Sequence, residues 1–330
     1  MEHMNRLSDY SFFRGDNLTD SEKKRVAAAV RDYALDLPVE RRALAPERLS
    51  EVVESISDIS EWITNRLGLN PSERVPDESR ISFFSDDEWR KVTEAIGVPS
   101  DNTAVQNSAN GVILMKECAD ENERRSILSH ELVHGFSRKV VKVVRERDGE
   151  KRPSGITLYG FRNATDDSFN WLNEVMTDSI NIEVLSASGR TGTSEILDNL
   201  PDNPYRRGII LFDMVFERIA DITGREMRAV RNDFYAAYFD GDVSPLRVIR
   251  QVFGNRALKQ LAEMKEFSYP TDRLETVVTE IFGLDGKEFR RRVDLLNNGE
   301  RLCLSSGISM RISRATDIRD HSGYDMPSDR

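Results

Sequence analysis

Two of the chain's four histidines stand four residues apart, with a glutamate after the first, in the segment His130-Glu131-Leu132-Val133-His134. On an α-helix, residues four apart lie on one face, so both imidazoles can reach one metal ion. Glu131 is rotated from that line by about 100°. Its carboxylate would lie beside the metal, where it can take a proton from water. Two imidazoles with an oxygen ligand favour zinc, Zn²⁺, over other ions.

A second segment, also predicted to be helical, carries the pair Asn173-Glu174 and, four residues after the glutamate, Asp178. Residues at this spacing share a helix face, so the two carboxylates can act at one site. Together with the histidine motif, this pattern resembles the gluzincins, the thermolysin-like zinc peptidases, over about residues 111–185. The resemblance implies that Glu174 is the third zinc ligand. It also implies that Asp178 accepts a hydrogen bond from the free ring N–H of His130.

Other residues could supply the third ligand. A metzincin would continue with glycine at position 137 and histidine at position 140, so Ser137 and Val140 exclude that class. Cys118, just upstream of the same helix, could supply a thiolate as in peptide deformylases, although the glycine-rich deformylase motifs are missing. Asp166 or Asp167 could serve as in the aspzincins. The cysteine and the two aspartates stay open as alternatives.

Peptide hydrolysis also needs a group that stabilises the oxyanion of the transition state. Tyr159 is our candidate, because it precedes the helix of Glu174, where peptidases of this type often have a tyrosine. Other candidates are Tyr205, Tyr235, Tyr238 and His321. The resemblance thus implies a zinc-dependent peptidase that hydrolyses peptide bonds through a zinc-activated water, with Glu131 as general base. The aminopeptidase-type Gly-Ala-Met-Glu-Asn motif is missing, which favours an endopeptidase.

In zinc peptidases of this type, the substrate adds as an antiparallel strand to an edge strand that precedes the active-site helix. The strand predicted over residues 111–116 has that place in the chain. We therefore expect Gly111, Val112 and Ile113 to contact a peptide or protein substrate, with an interior strand as the alternative. Two other functions also stay open. They are a zinc hydrolase of another amide, such as a deformylase or an amidase, and a zinc-fold binding protein without turnover.

The elements that hold these residues follow from apolar periodicity and from turn residues. We expect helices near 19–33, 46–63, 86–96, 122–134 and 169–185, and strands near 80–84, 104–106, 111–115 and 154–161. Beyond Pro204 the pattern predicts further helices, broken at Gly224, at 241–245 and at Gly254. The expected fold is α+β, with a zincin-like catalytic domain that has a small mixed sheet and an active-site helix, followed by a mainly helical subdomain.

The expected organisation has four parts. They are an N-terminal helical region at 1–72, the zincin-like catalytic domain at 73–190, a helical C-terminal subdomain at 191–302, and a disordered tail at 303–330. The tail is rich in Ser, Asp and Arg and poor in large apolar residues, which is typical of disorder.

Composition excludes several classes of protein. A net charge of −10 argues against a general nucleic-acid binder, which needs a basic field. Two cysteines are too few for a disulfide framework. No apolar run reaches the roughly 18 residues of a transmembrane helix, and the first residues lack the apolar segment of a signal peptide. We therefore expect no membrane span and a cytoplasmic location, although specialised secretion stays open.

Overall fold

The computed structural model describes residues 10–12, 18–33, 43–72, 74–107, 111–145, 151–163, 166–188, 205–265, 269–298, 300–304 and 309–310. They form a mixed α+β fold that is mostly helical and contains a small mixed sheet of three strands, as predicted. The strands are β1 (Tyr10–Phe12), β2 (Ile81–Phe84), β3 (Ala104–Asn107), β4 (Val112–Lys116), β5 (Lys139–Arg145), β6 (Lys151–Tyr159), β7 (Arg162–Asn163), β8 (Leu302–Cys303) and β9 (Ser309–Met310). The helices are α1 (Asp20–Tyr33), α2 (Pro46–Leu67), α3 (Asp86–Ile96), α4 (Glu121–Phe136), α5 (Asn170–Ala187), α6 (Arg206–Thr223), α7 (Met227–Asp240), α8 (Ser244–Glu263), α9 (Thr271–Thr276) and α10 (Gly286–Asn297).

The small mixed sheet has the strand order β2-β4-β3. Its central strand, β4, runs parallel to β2 and antiparallel to β3, so Ile113 pairs with Ile81 on one side and with Gln106 on the other. The first four residues of β4 are buried, as an interior strand requires. The prediction that Gly111, Val112 and Ile113 form a substrate-binding edge is therefore wrong, because both edges of β4 are already hydrogen-bonded.

The two helices that carry the predicted ligands, α4 and α5, pack against each other inside the core. Asp120 caps the start of α4, because its side chain accepts a hydrogen bond from the Glu123 N–H at 2.9 Å. Phe169 precedes α5 in a left-handed conformation, with φ 62°. In the first turn of α5, whose N–H groups have no partner within the helix, the Trp171 N–H donates to the Met264 carbonyl at 3.3 Å. Both predicted helices are confirmed.

A long antiparallel hairpin, β5 with β6, occupies the chain between α4 and α5. It belongs to a second sheet with the order β1-β5-β6-β7. The sequence pattern predicts β6 but not β5, although the valines at 140, 141, 143 and 144 are the β-branched signal of a strand. β6 is followed by a tight turn at Gly160, with φ 53°, which leads into β7, the antiparallel neighbour of β6.

One hydrophobic core runs through the described residues from α2 to α10. It includes Val52 of α2, Val133 of α4, Ile180 of α5 and Phe234 of α7, none of which is more than 1% exposed. The predicted domain boundaries stay predictions, but a single core extends across the two at 72/73 and 190/191.

The C-terminal helices end where the glycines predict. α6 and α7 stop at Gly224 and Gly241, whose φ values of 65° and 66° lie in the left-handed region that ends many helices. α8 is kinked at Gly254, where φ is 85° and ψ is 174°. The described residues thus confirm the predicted breaks.

Cys303 pairs with Ser309 in the short antiparallel ladder of β8 and β9, at the start of the segment predicted to be disordered. The disorder of the tail at 303–330 stays a prediction. Residues 311–330 lie outside the described part of the chain. None of the helices in the described ranges combines the length and the apolar composition that a membrane crossing needs.

Candidate metal centre

His130 and His134 lie one above the other on α4, as their spacing predicts. Their ring centroids are 5.0 Å apart, and the ring planes meet at 78°. Ser137 ends the helix just after them, with its hydroxyl donating to the His134 carbonyl at 2.8 Å. Since the C-terminal end of a helix carries partial negative charge, this last turn favours a cation beside it.

Glu174 of α5 completes the group. Its Oε2 atom lies 3.4 Å from Nε2 of His130 and 3.2 Å from Nε2 of His134. One possible ligand atom from each residue lies within 4.8 Å of the other two. The three side chains are largely buried, with exposures of 14%, 6% and 13% for His130, His134 and Glu174. Two helices thus bring three metal-binding atoms to one point.

The alternative third ligands do not belong to this group. The Cys118 thiol lies 3.6 Å from the carbonyl oxygen of Lys116, and burial raises the pKa of Cys118 to about 11, which disfavours the thiolate. Asp167 is paired with Arg162, whose Nη2 lies 2.6 Å from its Oδ1. The Asp166 carboxylate accepts a hydrogen bond from the Ser168 N–H at 3.0 Å. Glu174 is therefore the better candidate.

The second ring nitrogen of His130 faces a buried carboxylate. Asp178 Oδ1 lies 3.7 Å from Nδ1 of His130, which is the pairing that the resemblance implies. On its other side, Asp178 Oδ2 lies 3.8 Å from Nε of Arg206, the first residue of α6. Asp178 and Arg206 are only 3% and 2% exposed, so the pair is shielded from water. The sequence pattern did not indicate Arg206.

The second ring nitrogen of His134 faces two hydroxyl groups. Nδ1 lies 3.1 Å from the Tyr238 hydroxyl of α7 and 3.3 Å from the Thr177 hydroxyl of α5. The two hydroxyls are 2.7 Å apart, and Thr177 donates to the Asn173 carbonyl at 2.8 Å. Tyr238 therefore contacts the nitrogen that does not meet Glu174. This differs from the oxyanion role considered for Tyr238 from the sequence.

The charges of the centre shift one another's pKa values. Burial lowers the pKa of His130, but the Asp178 and Glu174 carboxylates outweigh it and raise that pKa to about 10. Burial raises the pKa of Glu174, but the charge of His134 and contacts with both histidines hold it below the usual range. For Glu131, burial is the larger effect and raises the pKa despite the two histidines. Glu131 is therefore a better proton acceptor than an exposed glutamate.

Tyr159 and Tyr205 interact with charged groups at or near the centre. The Tyr159 hydroxyl accepts a hydrogen bond from Arg162, whose guanidinium also lies 5.3 Å from the Tyr159 ring centroid. Burial raises the pKa of Tyr205, and the carboxylates of the site, Glu174 first, raise it further. The Tyr205 hydroxyl is therefore within electrostatic reach of the centre, and both tyrosines remain candidates for the oxyanion site.

The other oxyanion candidates are less suitable. The Tyr235 hydroxyl lies 2.7 Å from Ser179 Oγ and 3.2 Å from Glu183 Oε1, so it takes part in a separate buried network. His321 lies outside the described residues.

The donor set fits a zinc ion of the catalytic type. Two imidazole nitrogens and one carboxylate oxygen are the protein ligands of many such sites, which keep a further position for water or substrate. The fit extends beyond the donors, because Nδ1 of each histidine already faces a protein oxygen. Such partners orient the rings and fix the tautomer that binds metal.

No protein-family model matches the chain, and no curated protein matches it. The function must therefore be inferred from the centre itself.

Proposed function

We propose that this chain is a zinc-dependent peptidase of the gluzincin type, with a zincin-like catalytic domain. The observation that carries the proposal is the convergence of His130, His134 and Glu174 from two helices, with Glu131 on the same helix as the histidines. The mixed sheet that precedes α4, and Asp178 behind His130, support the same assignment.

Each residue has a role that follows from its chemistry. His130, His134 and Glu174 would hold the ion, and zinc bound there would act as a Lewis acid toward the substrate carbonyl and water. The Glu131 carboxylate takes a proton from the attacking water and passes it to the nitrogen of the leaving amine. In the metal-free protein burial raises the pKa of Glu131, which favours acceptance of the proton in the first transfer.

A hydroxyl or guanidinium donor would stabilise the oxyanion. Tyr159 and Tyr205 are the candidates, and Arg162 keeps a positive charge close to Glu174. Phenylalanine at each tyrosine in turn tests the two, since loss of one such donor typically lowers kcat about 100- to 1000-fold. The variant that loses kcat while keeping its zinc identifies the donor.

We propose β3, in place of β4, as the strand to which the substrate adds. β3 pairs with β4 on one side, and no strand in the described part of the chain pairs with its other edge. A Cβ placed on Gly135, the residue after His134, would lie 3.6 Å from Gln106 Nε2 of β3. That nitrogen is buried, with no hydrogen-bond partner among the described residues. An extended peptide could add to the outer edge of β3, near the last turn of α4, which carries His134.

Zinc content and peptide cleavage together test the proposal. We expect one zinc per wild-type chain, loss of zinc in Glu174→Ala, and retention of zinc without cleavage of a peptide library in Glu131→Gln. Full zinc occupancy in Glu174→Ala would overturn the ligand assignment. A wild-type protein that holds zinc but cleaves no peptide would overturn the peptidase and leave the amide-hydrolase or binding alternatives.

A further inference from the structure

Tyr238 joins the metal centre from a helix far along the chain. It lies 104 positions after His134, on α7, within the segment predicted as a separate helical subdomain. A buried tyrosine in a hydrophobic core needs only its ring for packing, and phenylalanine would serve as well. Its hydroxyl, however, lies against the ring of a proposed zinc ligand. The following inference rests on the metal centre of the proposed function but not on its substrate.

The direction of the hydrogen bonds behind His134 follows from the number of protons available. Thr177 has one hydroxyl proton and gives it to the Asn173 carbonyl, which can only accept. Tyr238 must therefore donate its own proton to Thr177 Oγ1, 2.7 Å away. The 3.1 Å contact between Tyr238 and His134 is then filled only if Nδ1 of the histidine donates. If Tyr238 instead donated its proton to Nδ1 of His134, the 2.7 Å contact between Tyr238 and Thr177 would have no hydrogen.

This order determines which nitrogen of His134 can bind a metal. A neutral imidazole with its proton on Nδ1 has its lone pair on Nε2. Nε2 is the atom that lies 3.2 Å from Glu174 Oε2, at the point where the three donors meet. The Tyr238 hydroxyl therefore favours the tautomer and the ring orientation that the metal requires.

The position of the Tyr238 hydroxyl is fixed by close packing. The residue is fully buried, and its ring packs edge-on against Phe161 and Phe239 at centroid distances of 6.2 and 5.3 Å. Gly160 approaches so closely that a Cβ there would lie 2.6 Å from Tyr238 Cε2 and 2.2 Å from Asn173 Oδ1. The β6–β7 turn thus packs against two members of the hydrogen-bonded chain, Tyr238 and Asn173.

We propose that Tyr238 is a positioning residue for His134, through which the C-terminal helices complete the metal centre. It sets the Nδ1–H tautomer of His134 and does not touch the substrate. Loss of its hydroxyl therefore weakens metal binding even when the protein stays folded.

Tyr235 provides a matched control. It lies one turn earlier on the same helix, is also fully buried, and its hydroxyl bonds to Ser179 and Glu183 rather than to a ligand. Tyr238→Phe and Tyr235→Phe each remove one buried hydroxyl from α7. The zinc dissociation constant of each purified full-length variant is measured by competition with a chromogenic chelator, and folding is monitored by circular dichroism and thermal unfolding.

We expect Tyr238→Phe to weaken zinc binding roughly 10- to 100-fold, as removal of a ligand's hydrogen-bond partner typically does, and Tyr235→Phe to leave it unchanged. Equal zinc affinity in Tyr238→Phe and wild type would overturn the inference, as would equal weakening in both variants. If Tyr238→Phe does not fold, Thr177→Val and Thr177→Ser replace it. The serine must restore the affinity that the valine loses, and equal affinities would overturn the inference.

The outcomes separate this inference from the proposed function. Zinc binding that depends on Tyr238 in a protein that cleaves no peptide supports the inference and overturns the peptidase. Peptide cleavage by a protein whose zinc affinity does not depend on Tyr238 supports the peptidase and overturns the inference. A wild-type protein that binds no zinc overturns both.

Discussion

The two histidines of the centre are supported in different ways. His130 is backed by charge, because Asp178 lies 3.7 Å behind it and Arg206 lies 3.8 Å from that carboxylate, both out of contact with water. His134 is backed by neutral groups, of which the Tyr238 hydroxyl at 3.1 Å is the nearest. The Asp178–Arg206 pair, here the charged side, still attracts His130 beyond hydrogen-bond distance, because Coulomb attraction falls slowly in a buried site. The Tyr238 and Thr177 hydroxyls, here the neutral side, act on His134 only at hydrogen-bond distance.

This difference predicts two kinds of failure. Removal of the Arg206 charge from the His130 side leaves the buried Asp178 carboxylate with one partner fewer, so the whole fold loses stability. Removal of a hydroxyl from the His134 side costs less stability and changes mainly the orientation of one ring.

Replacement of Arg206 by methionine should have the largest effect on stability. It removes the guanidinium from one side of the buried Asp178 carboxylate and leaves His130 on the other side, and loss of one partner from a buried pair typically costs about 3–5 kcal/mol in the free energy of unfolding. Urea denaturation of the metal-free protein measures the change.

Arg225→Met is the control for the Arg206 variant. Arg225 lies only 2.7 Å from Asp233, but the two side chains are 43% and 54% exposed, so its loss should cost about 1 kcal/mol or less. If both variants lose the same stability, burial of the Asp178 pair is not what supports the His130 side.

Zinc should stabilise the fold by linking His130 and His134 of α4 to Glu174 of α5. At a free zinc concentration of about 100 times the dissociation constant, binding to the folded state alone adds about 2.7 kcal/mol to the free energy of unfolding. Thermal unfolding with and without a chelator should show this difference in wild type and not in Glu174→Ala, which lacks a donor from α5. Equal stabilisation of the two proteins would place the bound metal at another site.

The candidate donors could be predicted from sequence because their spacing is local. His130 and His134 share a face of one helix, and the resemblance of the Asn173-Glu174 segment to the gluzincins pointed to Glu174. The supporting residues could not be predicted in the same way, since Arg206 and Tyr238 reach the site only through the packing of α6 and α7 on α5. Proximity of that kind depends on tertiary structure, which no periodicity in the sequence records.

Thr177 is an intermediate case. It lies three residues after Glu174 and one turn after Asn173, so helical spacing alone puts it on the same side of α5. A threonine hydroxyl in a helix commonly bonds to the carbonyl four residues back, as Thr177 does to Asn173. The sequence therefore contained a signal for this member of the His134 side, but not for its partner on α7.

The strand that the sequence predicted as the substrate-binding edge shows the same limit. The pattern over 111–116 predicts a strand, and the strand is there as β4. Whether it lies at an edge depends on the pairing of β2, which is separated from β4 by α3 and β3 in the chain. Pairing over that distance is not encoded in the strand's own residues.

Replacement of Gly160 by alanine should affect only the neutral side, and its cost in the free energy of unfolding should be intermediate. The new Cβ would meet Asn173 Oδ1 at 2.2 Å and Tyr238 Cε2 at 2.6 Å, so both must shift. Gly224→Ala isolates the backbone effect, because that glycine has a φ of +65° with nothing within 4 Å of its Cβ position. We expect the Gly160 variant to lose about 1–3 kcal/mol more than the Gly224 variant, and to bind zinc more weakly. Equal losses in urea denaturation would mean that the turn yields without disturbing His134.

Replacement of Cys118 by serine should have the smallest effect on zinc content and stability. It tests whether the centre has a further ligand besides His130, His134 and Glu174. Burial and the charge of Glu123 raise the pKa of Cys118 to about 11, so the sulfur is protonated near neutral pH and is a poor metal ligand. We expect an unchanged zinc content and a stability change of about 1 kcal/mol or less, measured by metal analysis and urea denaturation. Loss of zinc from this variant would show that a thiolate completes the centre. The comparison between a charged and a neutral side would then no longer describe it.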